Sequence, residues 1–133
     1  MTTTRSRKGP GCASDAAIQT LVISQHDVVR QQLVHYLSRS PNVHAAGAAF
    51  SLDAIRNFHP DVLVLDLSQL DYDELVVAID AADEVGARLI ALASLRDADT
   101  EALVLQAGGH YQLKAAGANG LAELVRGAKR RMD

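Results

Sequence analysis

Apolar residues recur along this chain in two alternating rhythms. Short unbroken apolar runs, of strand length, are separated by stretches whose apolar positions lie three and four apart, the spacing of one helix face. The densest run is His59-Pro60-Asp61-Val62-Leu63-Val64-Leu65-Asp66-Leu67. It predicts a strand over 62–65, buried on both faces, between a proline turn and a carboxylate. Asp66 then stands at the carboxyl end of that strand. In open parallel α/β sheets, the crevice outside the strand carboxyl ends is where ligands and chemistry gather.

The rest of the chain keeps the alternation. A first strand is expected over 18–24, followed by a turn at Gln25-His26-Asp27. Asp27 is the expected cap of a helix over 28–38, with Val29, Leu33 and Leu37 on one face. A weaker strand covers 43–49, and Ser51 caps a short helix over 52–58 that stops before Pro60. After Asp66 comes a loop over 67–72. A third helix follows over 73–84, with Leu75, Ile79 and Ala82 inward, and Gly86 ends it. A fourth strand covers 88–93, a loop 94–98, a fourth helix 99–107 and a short fifth strand 110–113. Lys114 closes that strand. A loop over 115–119 leads to a last helix over 120–131. Five strand–helix units in strict alternation predict an α/β fold, a flavodoxin-like doubly wound sheet. Its five parallel strands take the order 2-1-3-4-5, with helices on both faces. The ends of the first and third strands then share one crevice.

Composition narrows this picture. At 133 residues the chain holds one domain, 18–133, preceded by a leader over 1–17 that has nothing to bury and is expected to be disordered. Hydrophobic residues reach 48% but aromatics only 4%, so the core must be built from Ala, Val, Leu and Ile. A net charge of -3 argues against direct nucleic-acid binding. The single cysteine, Cys12, cannot form an intrachain disulfide, which fits a reducing, cytoplasmic setting. No apolar run approaches the roughly 18–20 residues that span a bilayer, so no membrane association is expected.

The crevice lacks several familiar chemistries. Ser24-Gln25-His26-Asp27 is not a phosphate-binding loop. No G-x-S-x-G and no zinc-ligand spacing occurs. Asp66 and Lys114 remain. A carboxylate can act as a covalent nucleophile and accept a phosphoryl group, and a nearby ammonium can neutralise the developing charge. The plainer alternative is an Asp–Lys ion pair that ties two strand ends together.

At these residues the chain resembles the receiver domain of two-component response regulators, over about residues 18–131. PDVLVLDL is similar to that family's phosphoacceptor strand, which implies that Asp66 is the phosphoacceptor. AGGHYQLK resembles the fifth-strand segment A-G-A-x-x-[YF]-x-x-K, one residue shorter before the aromatic. The resemblance implies that Lys114 pairs with phosphate and that Tyr111 is a switch aromatic. LVISQHDVVRQQL resembles the subgroup that usually carries a C-terminal helix-turn-helix, which implies transcriptional output in a longer protein.

Three departures mark the chain as atypical. The family's acidic pair, which holds Mg2+, is replaced by Ser24 and Gln25, with Asp27 the nearest acid. One carboxylate alone is a poor site for a hard divalent cation, so no cofactor is expected. The family's Thr or Ser at the end of the fourth strand falls on Ala93, and Ser94 substitutes only if the strand end shifts. The loop after Asp66 keeps an acid at Asp73 but has lost its Pro and Gly. The expected function is therefore an atypical, non-enzymatic receiver with weakened phosphorylation at Asp66. It would receive phosphate from a histidine kinase or phosphorelay protein. It would act, as a homodimer or on a partner, through the fourth helix, fifth strand and fifth helix. The alternative is a phosphorylation-independent module that binds a protein or a small ligand.

Overall fold

The computed structural model describes residues 17–114 and 118–132. The expected leader, apart from Ala17, lies outside them, as do Cys12 and residues 115–117. The described elements are β1 (Ile18–Ile23), α1 (Asp27–Ser38), β2 (Val43–Ala48), α2 (Leu52–Phe58), β3 (Val62–Asp66), α3 (Tyr72–Glu84), β4 (Arg88–Ala93), α4 (Ala98–Gln106), β5 (His110–Leu113) and α5 (Ala118–Met132). A 3-10 turn, Leu67–Gln69, follows β3. All four strand pairings are parallel, in the order β2-β1-β3-β4-β5.

Strand β3 lies in the middle of the sheet, between β1 and β4, and all five of its residues are buried. Its side chains alternate between two cores, as the pleat requires. Leu63 and Leu65 join Leu21, Ile23, Leu89 and Ala91 on the face covered by α2, α3 and α4. Val62 and Val64 join Val22, Ile90 and Leu92 on the face covered by α1 and α5. Few aromatics are needed because the helices present small side chains. Ala78, Ala81 and Ala82 of α3 are all buried, which lets that helix lie close to the sheet.

Most expected boundaries agree to within a residue, and the exceptions concern helix starts. Asp27 does not cap α1. It is the first helical residue, His26 occupies the cap position, and the Asp27 carboxylate pairs with Arg30 at 2.5 Å. Helix α3 begins at Tyr72, because Asp71 and Glu74 form a reciprocal capping box that satisfies two end groups at once. Asp97 caps α4 through the amides of Asp99 and Thr100. Helix α5 starts at Ala118, two residues earlier than its pattern suggests. Ser51 caps α2 as expected, accepting from the amide of Ala54. Gly86 and Gly108 follow α3 and α4 with φ of 74° and 81°, a left-handed conformation that glycine adopts freely.

The two-sided burial of β3 makes a direct prediction. Leu63→Ala removes a fully buried side chain and should destabilise the domain by about 2–5 kcal/mol. Val77→Ala, at a position 40% exposed on α3, should change stability by only about 0.5 kcal/mol. Urea unfolding of both variants checks this, and equal midpoint shifts would contradict the assigned core.

Candidate functional site

Three segments carry side chains to the carboxyl end of β3. Ser24 follows β1 and is fully buried. Asp66 ends β3, and its side chain is 1% exposed. Lys114 follows β5, two strands away, with its side chain 29% exposed. Adjacent parallel strands place Ser24 beside Asp66, since Ile23 pairs with Leu65. Lys114 spans β4 to reach the same point.

Both Asp66 oxygens are occupied. Oδ2 accepts from the Ser24 hydroxyl at 2.8 Å. Oδ1 accepts from the Ser68 amide at 3.0 Å and the Ser68 hydroxyl at 2.8 Å, and it pairs with Lys114 Nζ at 2.7 Å. Lys114 also donates to the Ser68 hydroxyl. Ser68 therefore relays between the ammonium and the carboxylate. Ser24 is fixed in turn, because its oxygen accepts from the His26 amide at 3.2 Å. Burial pushes the Asp66 carboxyl up. Lys114, the Ser68 amide and the two serine hydroxyls outweigh it and hold the group below its ordinary value of 3.8.

The other residues singled out in the sequence are placed differently. Gln25 is exposed and turned to the β2–α2 loop, where its Oε1 accepts from the Phe50 amide at 2.9 Å. Asp27 is held by Arg30 on the surface and does not join Asp66. Strand β4 ends at Ala93, opposite Leu113, so the shift that Ser94 would need does not occur. Ala93 is buried; Ser94 is exposed beyond the strand end. Tyr111 is nearly buried on β5. Its hydroxyl donates to the Leu95 carbonyl at 3.0 Å and accepts from the Asp97 amide at 3.3 Å.

Two contributors were not singled out in the sequence. Ser68 is one, although Asp-x-Ser is the spacing at which a carboxylate folds back onto a following amide. Arg30 is the other. Its guanidinium donates to the Ser24 carbonyl at 2.7 Å, and its stem crosses β2 at Gly47. A Cβ at Gly47 would stand 2.8 Å from Arg30 Cγ, so glycine leaves the room this arginine needs. No sequence periodicity signals such a contact.

Chemically, the site is a buried carboxylate surrounded by donors. Among the described residues, no group of three or more His, Cys, Asp or Glu side chains converges.

No family model matches the chain. It is 29% identical over 119 residues to the transcriptional regulatory protein LiaR of Bacillus subtilis (strain 168), a match that takes in 85% of the chain. The chain spans 56% of LiaR's length. Among solved structures it is similar to a two-component response regulator of the LuxR family from Aurantimonas sp. SI85-9A1. That superposition has a TM-score of 0.75 at 16% identity and covers 86% of each chain. The response regulator domain of Thermotoga maritima CheB superposes with a TM-score of 0.69 at 21% identity, over 86% of this chain and 97% of that one. The chain thus has the flavodoxin-like fold of response-regulator receiver domains.

The Lys114–Asp66 pair makes a pH prediction. The folded value of Asp66 lies below its unfolded value, so its stabilisation is present above about 3.8 and is lost as the pH falls through the folded value. Lys114→Met should cost about 2 kcal/mol near neutral pH, because it leaves a buried carboxylate short of a charged donor. The difference should shrink in acid, as Asp66 takes a proton. Unfolding curves from about pH 7 to about pH 2 check it. A penalty that does not vary with pH would assign the loss to packing.

Proposed function

We propose that this chain is an atypical receiver domain of two-component-type signal transduction, in which phosphorylation at Asp66 is weakened. The fold and the similarity to LiaR support the signalling class. The observation that carries the atypical reading is the Asp66 carboxylate itself, with both oxygens already accepting and Ser24, a donor, where a second carboxylate would stand. In this reading Asp66 is the phosphoacceptor, Lys114 the phosphate-pairing cation and Tyr111 the switch aromatic. Ala93 at the end of β4 has no hydroxyl, and that of Ser94 stands exposed one residue beyond the strand.

Phosphoryl transfer to a carboxylate depends on positioning and on neutralising charge on the transferred group. Lys114 offers one positive charge. A hard divalent cation prefers several oxygen ligands, carboxylates foremost, and the donor set around Asp66 does not fit one. The hydrogen bonds that lower the pKa of Asp66 also draw electron density from the attacking oxygen. Both effects slow gain of phosphate. Output would pass through the α4–β5–α5 face to a partner, an output domain or a second copy of the chain. The phosphate donor would be a histidine kinase or phosphorelay protein in the cytoplasm. No described helix is long and apolar enough to cross a membrane.

A second reading is favoured by one further observation. Lys114 and Tyr111 are both engaged in the unmodified chain, the first by Asp66 and Ser68, the second by Leu95 and Asp97. A receiver already locked in this way serves as a phosphorylation-independent interaction module.

Acetyl phosphate with Mg2+, followed by intact-mass measurement, separates the two readings. The proposed receiver should gain about 80 Da, one phosphoryl group, on a minor fraction of molecules. Ser24→Asp with Gln25→Asp should speed that gain by about tenfold or more. Complete modification of the wild type within minutes would refute the weakened site. A gain that survives Asp66→Asn would refute Asp66 as its position. No gain even in the double variant would favour the phosphorylation-independent module.

A further inference from the structure

Between the turn after β3 and the turn after β4 lies a cleft of about 550 Å3. The N-terminal ends of α3 and α4 contribute to its two sides, through Tyr72 and Leu75 on one and Asp99 and Thr100 on the other. Much of its lining is apolar, supplied by Leu67, Leu70, Leu75 and Ala93. Five large apolar side chains are exposed among the described residues, and two of them, Tyr72 and Leu95, line this one cleft. Leu95 is 81% exposed on a short turn, where a polar residue would be better solvated.

The charge of the cleft has one sign. Asp71, Asp97 and Asp99 line it, and no basic side chain does among the described residues. None of the three acids forms an ion pair among the described residues. Capping explains part of their placement, since Asp71 and Asp97 each use Oδ1 to accept helix-end amides. Capping leaves their negative charge in place, and Asp99 caps nothing. The neighbouring cations are committed elsewhere, Arg96 to Glu101 and Lys114 to Asp66. The cleft thus combines apolar walls, two exposed apolar side chains and three carboxylates with no cationic partner among the described residues.

We propose that this cleft receives a segment of a partner protein in which apolar side chains are flanked by lysine or arginine. An apolar anchor would displace water from Leu70 and Leu95, and the flanking cations would meet Asp71, Asp97 and Asp99. Tyr72 and Leu95 extend the apolar area outside the cavity, which suits a chain segment crossing it better than an enclosed small molecule. The surface meets the α4–β5–α5 face at the start of α4 and at Tyr111, and it does not require phosphate on Asp66. It is nevertheless linked to that residue, because Ser68 lines the cleft and also bonds Asp66 and Lys114.

Fluorescence anisotropy with a labelled hexapeptide of alternating lysine and leucine tests the proposal on the full chain. The peptide should bind and should perturb amide signals at 67–75 and 93–100. Affinity should fall by about tenfold or more in Asp97→Asn/Asp99→Asn, where asparagine keeps the helix cap, and likewise in Leu95→Ser. Asp80→Asn/Asp83→Asn removes the same charge from another part of α3 and should leave affinity unchanged. Peptides with serine for leucine, or glutamate for lysine, should not bind. Equal binding of the serine peptide, equal loss in the Asp80/Asp83 variant, or signal changes confined to other segments would overturn it. So would octylamine binding as tightly as the peptide, which would assign the cleft to a small ligand. Self-association abolished by Asp97→Asn/Asp99→Asn would assign it to a second copy.

Discussion

A carboxylate buried at the end of a central strand must be compensated, or it takes a proton or destabilises the fold. Asp66 meets this constraint with donors from three places: the residue after β1, the 3-10 turn after β3, and the residue after β5. The strand order makes the arrangement possible. With β1 beside β3, Ser24 lies within hydrogen-bond distance, and with β5 two strands away only a long side chain such as lysine can span the gap. The turn over 67–69 folds back because Asp66 accepts from the Ser68 amide, so the carboxylate shapes the loop that solvates it. Arg30 holds the Ser24 carbonyl from outside and needs the bare backbone of Gly47 to do so.

Compensation by neutral donors has a consequence for chemistry. An acid at position 24 would set two carboxylates side by side, each raising the pKa of the other unless a cation lay between them. Serine removes that repulsion and turns the position into a donor. The carboxylate is thereby compensated by donors of the chain itself, and in the proposed function the same hydrogen bonds would oppose a new covalent bond at Asp66. In the proposed function, weakened phosphorylation and a well-compensated resting site are two results of one substitution pattern.

Much of the fold was legible in the residue pattern, and the misreadings share a cause. The all-apolar run of β3 and the bounds of α2, β4 and β5 follow from periodicity, which tertiary packing reinforces, and the strand order follows from strict strand–helix alternation and the common order of such sheets. Helix starts were less legible where acids crowd together. Asp71, Asp73 and Glu74 offer competing caps, and only the reciprocal pair of Asp71 with Glu74 settles the choice. Asp27 looked like a cap because its residue type favours that position, but an ion pair with Arg30 one turn along wins instead. At the site, Asp66 and Lys114 stood out as charged residues at strand ends. Ser68 and Arg30 did not, because their roles depend on a turn and on a cross-strand contact that no local spacing records.

Tyr111 connects the two regions of the molecule that carry the functional proposals. It lies on β5, the strand beside β4 that Lys114 follows, and its hydroxyl holds the backbone of Leu95 and Asp97. Those two residues also line the cleft above α3 and α4. Ser68 makes the corresponding link from the other side, lining the cleft while bonded to Asp66 and Lys114. A change at Asp66 that redirected Lys114 would therefore be felt at Ser68. A partner segment pressing on Leu95 would be felt at Tyr111. A route between the two proposed sites would need no large motion, because β5 with Lys114 after it and the turn after β3 each contribute to both the buried carboxylate network and the acidic cleft.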